Sequence, residues 1–219
     1  MTAGPERSLA ICNDYQTFIR FQAYLKSVEA AKLTPAPWQG QGDLPNAEHV
    51  RISDMAPIMR IEDEVAVLTP MRWGFAPSRP GAGPVFNFRS EGRHFRPEQR
   101  CLIPASAFFE FTAPADPKQK RKDRWRFERA DGDWMGIAGL WKPGEGNHPP
   151  VFTMLTCAPG RDVAAIHNRQ IVVVEAWDWR AWLAAERPEE EVLQPSPEGT
   201  FCVVRDMPNA GPAKTNLLI

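Results

Sequence analysis

With 219 residues, 43% of them hydrophobic, the chain suits one large domain or two small ones with a core of their own, which excludes a largely disordered polypeptide. Its 26 basic and 27 acidic residues leave a formal net charge of -1, so any contact with nucleic acid has to come from local patches. The four cysteines, Cys12, Cys101, Cys157 and Cys202, are widely spaced and form no C-x-x-C pair, which argues against a structural zinc site or a disulfide scaffold.

Residues 1–11 read as a short polar arm without the apolar core of a signal peptide, and no apolar run approaches the roughly 18 residues of a membrane span. A soluble, cytoplasmic protein is therefore expected. Apolar residues at Phe18, Phe21, Leu25, Val28 and Ala31 recur at helical spacing and predict a helix over 17–33. A Pro- and Gly-rich loop with Trp38 follows over 35–45, then two short strands within 50–68 around Asp54 to Pro57. Met71 to Pro77 reads as turn-rich. In the segment 85–91, alternation puts Asn87 and Arg89 on one face and Phe86 and Phe88 on the other.

Arg100 to Phe111 is an almost wholly apolar strand. A basic loop at 118–124 precedes strands at 125–129 and 134–141, and Asp131-Gly132 between them predicts a hairpin. Further strands are expected at 151–157, 171–174 and 201–205, with a helix at 177–185 and an acidic, Pro-containing linker at 187–200; the last residues read as a tail. There is no internal repeat and the abundance of Pro (22) and Trp (8) suits short strands and turns. The expected fold is a single α+β domain, mainly antiparallel sheet with a barrel-like core and flanking helices.

Glu110 stands out. In a strand it shares a face with Phe108, opposite Phe109 and Phe111. A carboxylate without a partner in such surroundings costs several kcal/mol, so its presence marks either a paired or water-reaching side chain or a raised pKa suited to acid/base chemistry. Read residue by residue, His167 fits a helix C-terminal cap, Asn87 a turn residue or a satisfied strand amide, and the basic loop a solvated surface.

Taken as an ordered set, Cys12-Asn13, Arg72-Trp-Gly74, Asn87-x-Arg89-x-Glu91, Arg100 to Ala105, Phe108-Phe-Glu110, Ala138-Gly-Leu-Trp141 and Ile166-His-Asn-Arg169 resemble the SRAP family, the SOS-response-associated peptidases. The resemblance runs from about Cys12 to Val174. It implies a sensor of abasic sites in single-stranded DNA whose N-terminal cysteine forms a thiazolidine with the ring-opened sugar aldehyde. By motif, Cys12 is the nucleophile, Asn87 holds the sugar, Glu110 handles protons and His167 assists ring opening. Arg72, Trp73, Arg89, Lys120 and Arg121 are the expected DNA contacts. Neither a metal nor a cofactor is implied, and a monomer is expected.

The chemistry suits those residue types. An α-amino group is roughly one part in seven neutral at pH 7, far more than a lysine, and a thiol on the same residue can close a five-membered ring on the imine carbon. One departure is large. Cys12 is preceded by eleven residues, so as written its nitrogen is an amide; the arm is cut away, the start lies further on, or crosslinking is lost and DNA binding remains. A thiol attack on the Ile11 carbonyl is one route to removal. A smaller departure is Gln170-Ile171 after Arg169, where the family commonly has Met-Pro.

Overall fold

The computed structural model describes residues 11–37, 44–77, 79–114 and 118–206. Residues 1–10 of the arm, Trp38 and its neighbours in the predicted loop, and the tail beyond 206 lie outside the described residues. In chain order the elements are β1 (Asp14–Thr17), α1 (Phe21–Ala30), β2 (Thr34–Pro35), β3 (Ala47–Arg51), β4 (Met55–Glu62), β5 (Val65–Trp73) and β6 (Asn87–Arg89). Then come β7 (Arg100–Ala105), β8 (Ala107–Thr112), β9 (Asp123–Arg129), β10 (Met135–Lys142), β11 (Val151–Cys157) and α2 (Arg161–Ala164). The chain continues through β12 (Gln170–Ile171), β13 (Val173–Val174), α3 (Trp179–Leu183), α4 (Glu189–Val192) and β14 (Phe201–Asp206).

The expected α+β, sheet-dominated single domain is what forms. Strands β4, β5, β11, β10 and β7 pair in turn and return to β4, so the larger sheet closes into a ring of strands. A second sheet runs in the order β14, β9, β8, β1, β3. The two are joined by one nearly continuous stretch, since β7 belongs to the ring and β8, after the single residue Ser106, belongs to the second sheet. Closure needs a glycine at one point. A Cβ on Gly139 of β10 would meet Ile103 Cδ1 at 2.3 Å and the Thr153 carbonyl oxygen at 2.7 Å, which accounts for Gly139 within the Ala138 to Trp141 motif.

Several sequence expectations change. The first helix starts at Phe21, not residue 17, because Asp14–Thr17 pairs with β3 and β8; Lys32, at φ 56°, stops it after one helical face is buried. Pro57, read as a break, lies inside β4 opposite Pro70, and Met71 to Trp73 completes β5 rather than forming a turn. The Asp131-Gly132 turn is real, with Gly132 at φ 75° and Arg129 bonded to Asp131. It does not close a hairpin. β9 pairs with β8 and β14 while β10 pairs with β7, β11 and β13, so the turn passes the chain from one sheet to the other. Local turn chemistry fixes the reversal and not which strands then pair.

Residues 187–200, read as a linker, contain α4, and Val192 and Leu193 are buried. Glu189 of α4 receives Arg100 Nη2 at 2.6 Å, and the same buried guanidinium donates to the carbonyls of Phe95 and Trp182 and lies 4.6 Å over the Trp182 ring. Removing the anion leaves that cation enclosed. We expect Glu189→Ala to lower the unfolding free energy by about 3 kcal/mol, read as a drop in urea midpoint with an unchanged m-value; a midpoint equal to the parent's would restore the linker reading.

Candidate functional site

The site is built where β1 leaves the N-terminal segment and meets β8 and β6. Pairing of Tyr15 with Phe108 brings the start of β1 against the strand that carries Glu110. The Cys12 backbone N–H donates to Glu110 Oε1 at 3.1 Å, and both residues are 0% exposed. Asn87 reaches the same place from β6, which lies parallel to β11 with Asn87 opposite Met154. Its Nδ2 donates to the carbonyl of Cys12 at 3.1 Å and, in a shorter contact, to the carbonyl of Ile11. The peptide bond between Ile11 and Cys12 therefore has its oxygen held by Asn87 and its nitrogen held by Glu110.

Desolvation sets the electrostatics. Burial pushes the Glu110 carboxyl up from 4.5 to about 8, opposed only by the Cys12 N–H, so the acid is protonated over most of the neutral range. Burial, and next the nearby Glu110, pushes the Cys12 thiol well above its usual value; Sγ lies 3.6 Å from the Asp14 carbonyl. Two buried polar atoms in this group, Glu110 Oε2 and Asn87 Oδ1, have no hydrogen-bond partner. In a stable interior such atoms are normally satisfied, so their pairing is left for something else. Cys12 itself has φ 23°, a left-handed conformation that costs a non-glycine residue of order 1–3 kcal/mol.

Aromatic packing makes the floor rigid. Trp73 is edge-on to Tyr15 at 5.3 Å and stacked on Phe152 at 6.2 Å, while Phe108 stacks on Phe127 at 4.6 Å. Trp73 is 0% exposed, which corrects its expected role as a DNA contact. Its Nε1 instead donates to the Phe86 carbonyl at 2.9 Å, fixing the residue before Asn87. Tyr15 contributes a buried hydroxyl that has no hydrogen-bond partner either.

The other candidates are placed differently. His167 follows α2, whose Val163 packs in the same cluster as Cys12, and its Nδ1 accepts the Arg169 backbone N–H at 3.0 Å. Arg89 is exposed two residues beyond Asn87 and on the same face. Arg72 alternates with the inward Met71 and Trp73, so it projects from the outside of the ring. Lys120 and Arg121 are both exposed, and Arg121 joins Lys122, Arg124, Arg51, Asn13, Asp14, Ile52 and Phe111 around a cleft of about 540 Å³, with Phe111 on the β8 face opposite Glu110.

Arg51 and Asp14 had no signal in the sequence, because they meet only through the β1–β3 register. Arg124 is held at the cleft by lying 3.7 Å over the Phe109 ring and pairing with Asp206 at 3.1 Å. Asp14 is bonded to His49 Nδ1 at 2.9 and 3.1 Å. Among the described residues, no group of three or more His, Cys, Asp or Glu could hold a metal ion, and no helix is long and apolar enough to cross a membrane.

The family model for SOS response associated peptidase (SRAP) matches residues 11–205, and the chain belongs to that family. Among its relatives, abasic site processing protein YoqW of Bacillus subtilis is 29% identical over 140 residues, covering 57% of this chain and 60% of that protein. Abasic site processing protein YedK of Escherichia coli is 28% identical over 146 residues, covering 63% and 64%. The matches thus span somewhat under two thirds of the relatives' length. A crystal structure of a Bordetella bronchiseptica protein superposes with a TM-score of 0.65 at 24% identity, over 90% of this chain and 100% of that one, and shows the same fold.

The raised Glu110 pKa has a measurable consequence. A carboxyl that titrates at 4.5 when unfolded and at about 8 when folded contributes stability that is fully present below 4.5 and is lost as pH rises to 8. The melting temperature should therefore fall between about pH 5 and 8, and Glu110→Gln should flatten that slope. An identical slope in the variant would mean that Glu110 is ionised in the folded protein.

Proposed function

We propose that this chain processes abasic sites in single-stranded DNA through Cys12, after cleaving its own Ile11–Cys12 bond. The observation that carries the reading is the grip on that bond, with Asn87 on the carbonyl oxygen and Glu110 on the nitrogen. The relatives named for abasic site processing support the substrate class.

Self-cleavage follows from the positions of the groups. Cys12 Sγ attacks the Ile11 carbonyl carbon, forming a C–S bond while the oxygen takes negative charge against Asn87 Nδ2, as in an oxyanion hole. When the adduct collapses the C–N bond breaks. Protonated Glu110 gives its proton to the departing nitrogen and takes up the thiol proton, so it ends as it began. Water then hydrolyses the thioester, returning a hydrogen to sulfur and leaving a carboxylate on Ile11. The strained φ of Cys12 is relieved in the same step.

The α-amine is released neutral beside Glu110 Oε1, with Glu110 protonated again. The amine adds to the sugar aldehyde, one of its protons passing to the oxygen; Glu110 then protonates the hydroxyl that leaves as water and takes back the remaining proton from nitrogen, giving a C=N bond. Sulfur then bonds to the imine carbon while its proton passes to nitrogen, which closes the thiazolidine. Asn87 Nδ2, released from the Ile11 carbonyl, is free for a sugar hydroxyl. His167, whose Nδ1 is an acceptor, carries its proton on Nε2 and offers it to the sugar ring oxygen. The cleft with Arg51, Arg121, Lys122 and Arg124, together with exposed Arg89, provides cations for phosphates on the strand.

The test uses the full chain and a version beginning Met-Cys12, each incubated with an abasic single-stranded oligonucleotide and read by intact mass and denaturing gel. Loss of residues 1–11 from the full chain and a denaturation-resistant adduct from both are expected. Cys12→Ala should do neither, and Asn87→Ala should slow self-cleavage about 100-fold. No adduct from the Met-Cys12 version would overturn the reading and leave DNA binding without chemistry.

A further inference from the structure

The Nδ1 bond that fixes the His167 tautomer joins residues only two apart, in an irregular segment between α2 and β12. Such a bond persists only where the segment is pinned. The His167 N–H is held by the Val163 carbonyl at 2.9 Å on one side, and on the other the segment is pinned by the Arg169 side chain. Both of its terminal nitrogens meet the Glu91 carboxylate, with Nη2 at 2.8 Å from Oε2, and Nη2 also donates to the carbonyl of Thr156 at 2.8 Å and to its hydroxyl at 3.1 Å.

These partners belong to the other half of the site. Glu91 lies two residues past Arg89 at the end of β6, and Thr156 is the β11 residue paired with Arg89. Ser90 adds bonds from its N–H at 2.9 Å and its hydroxyl at 3.0 Å to the same Thr156 carbonyl. A planar two-point arginine–carboxylate pair fixes orientation as well as distance. Moving Glu91 therefore moves the loop that aims His167 relative to the strand that carries Asn87.

An arginine beside a nucleic-acid site is more often a phosphate ligand. Here the side chain is only 14% exposed, both terminal nitrogens are committed to Glu91 and Thr156, and the remaining Nε is buried without a partner. Little donor capacity faces outward. The Arg169 hydrogen bond also holds the Glu91 carboxyl below the usual range, so Glu91 stays ionised in neutral solution.

We infer that Glu91 and Arg169 are positioning residues, a brace that holds His167 as the Nε2–H tautomer and at a set distance from Asn87. This rests on the function proposed above. The brace acts through His167 and touches no substrate, so it should govern the rate of adduct formation and not the affinity for the strand.

Two readouts test it, on protein with a free Cys12 amine. In ¹⁵N NMR, assigned with His167→Ala, the parent should show a bare Nδ1 and a protonated Nε2, and Glu91→Ala should show a mixture of tautomers. At saturating abasic oligonucleotide, Glu91→Ala should slow adduct formation about 10- to 100-fold, Glu91→Gln by less, and affinity for an undamaged strand should not change. In the His167→Ala background, Glu91→Ala should add no further loss. Unchanged tautomers, or losses that multiply with those of His167→Ala, overturn the brace. Absence of any adduct from the parent would instead defeat the function proposed above, and the NMR signature would still decide the brace.

Discussion

A backbone N–H aimed at a carboxyl group in the dry interior is the contact around which this molecule is arranged. Glu110 could not stay there ionised without a cost of several kcal/mol, and Cys12 could not bury its N–H without an acceptor. Each resolves the other's difficulty across a sequence separation of 98. For the contact to exist, β1 has to dock on β8, and β8 has to leave the ring through Ser106 and enter the second sheet. Ser106 secures that crossing, donating its N–H to the Gln16 carbonyl and accepting the Phe18 N–H.

The same dryness divides the charges. A formal net charge of -1 conceals a cleft edged by Arg51, Arg121, Lys122 and Arg124, whose acidic wall residue, Asp14, is bonded to His49. Reaction groups and strand-holding groups are thereby separated. Cys12 and Glu110 lie in the interior where proton affinity can be shifted, and the cations lie outside it, where phosphates can exchange with solvent and salt screens them.

What was legible beforehand follows a physical line. Alternation over three or four residues was sufficient to put Glu110 with Phe108 and Asn87 with Arg89, because side-chain direction in a strand is a local property. The motif order then placed both beside Cys12. Pairing partners were not legible. Asp131-Gly132 reverses the chain in either a hairpin or a sheet-to-sheet crossing, and only the non-local fit of β9 on β14 selects the second. Trp73 reads equally well as a surface ring or a core ring, since its neighbours Arg72 and Gly74 carry no burial signal; the ring closure through Phe152 turned it inward. α4 was hidden by its three glutamates, which suggest solvent until Arg100 appears as the partner of one of them.

Peptide cleavage and aldehyde capture look like separate activities, yet on the proposed reading they ask the same things of the same atoms. Both pass through a carbon bonded to the Cys12 nitrogen and to its sulfur, and both need a proton delivered beside that nitrogen. The carbon belongs to Ile11 in the first case and to the sugar in the second. Glu110, raised to about 8, can give and recover a proton near neutrality in either. On that reading Asn87 stabilises an acyl oxygen first and loses that contact in the very cleavage that exposes the amine, so the Ile11 carbonyl, while attached, occupies the position the sugar would take. Covalent attachment of the arm therefore blocks the site chemically, through the amide nitrogen, and sterically, through the Asn87 donor, and a single bond cleavage removes both blocks.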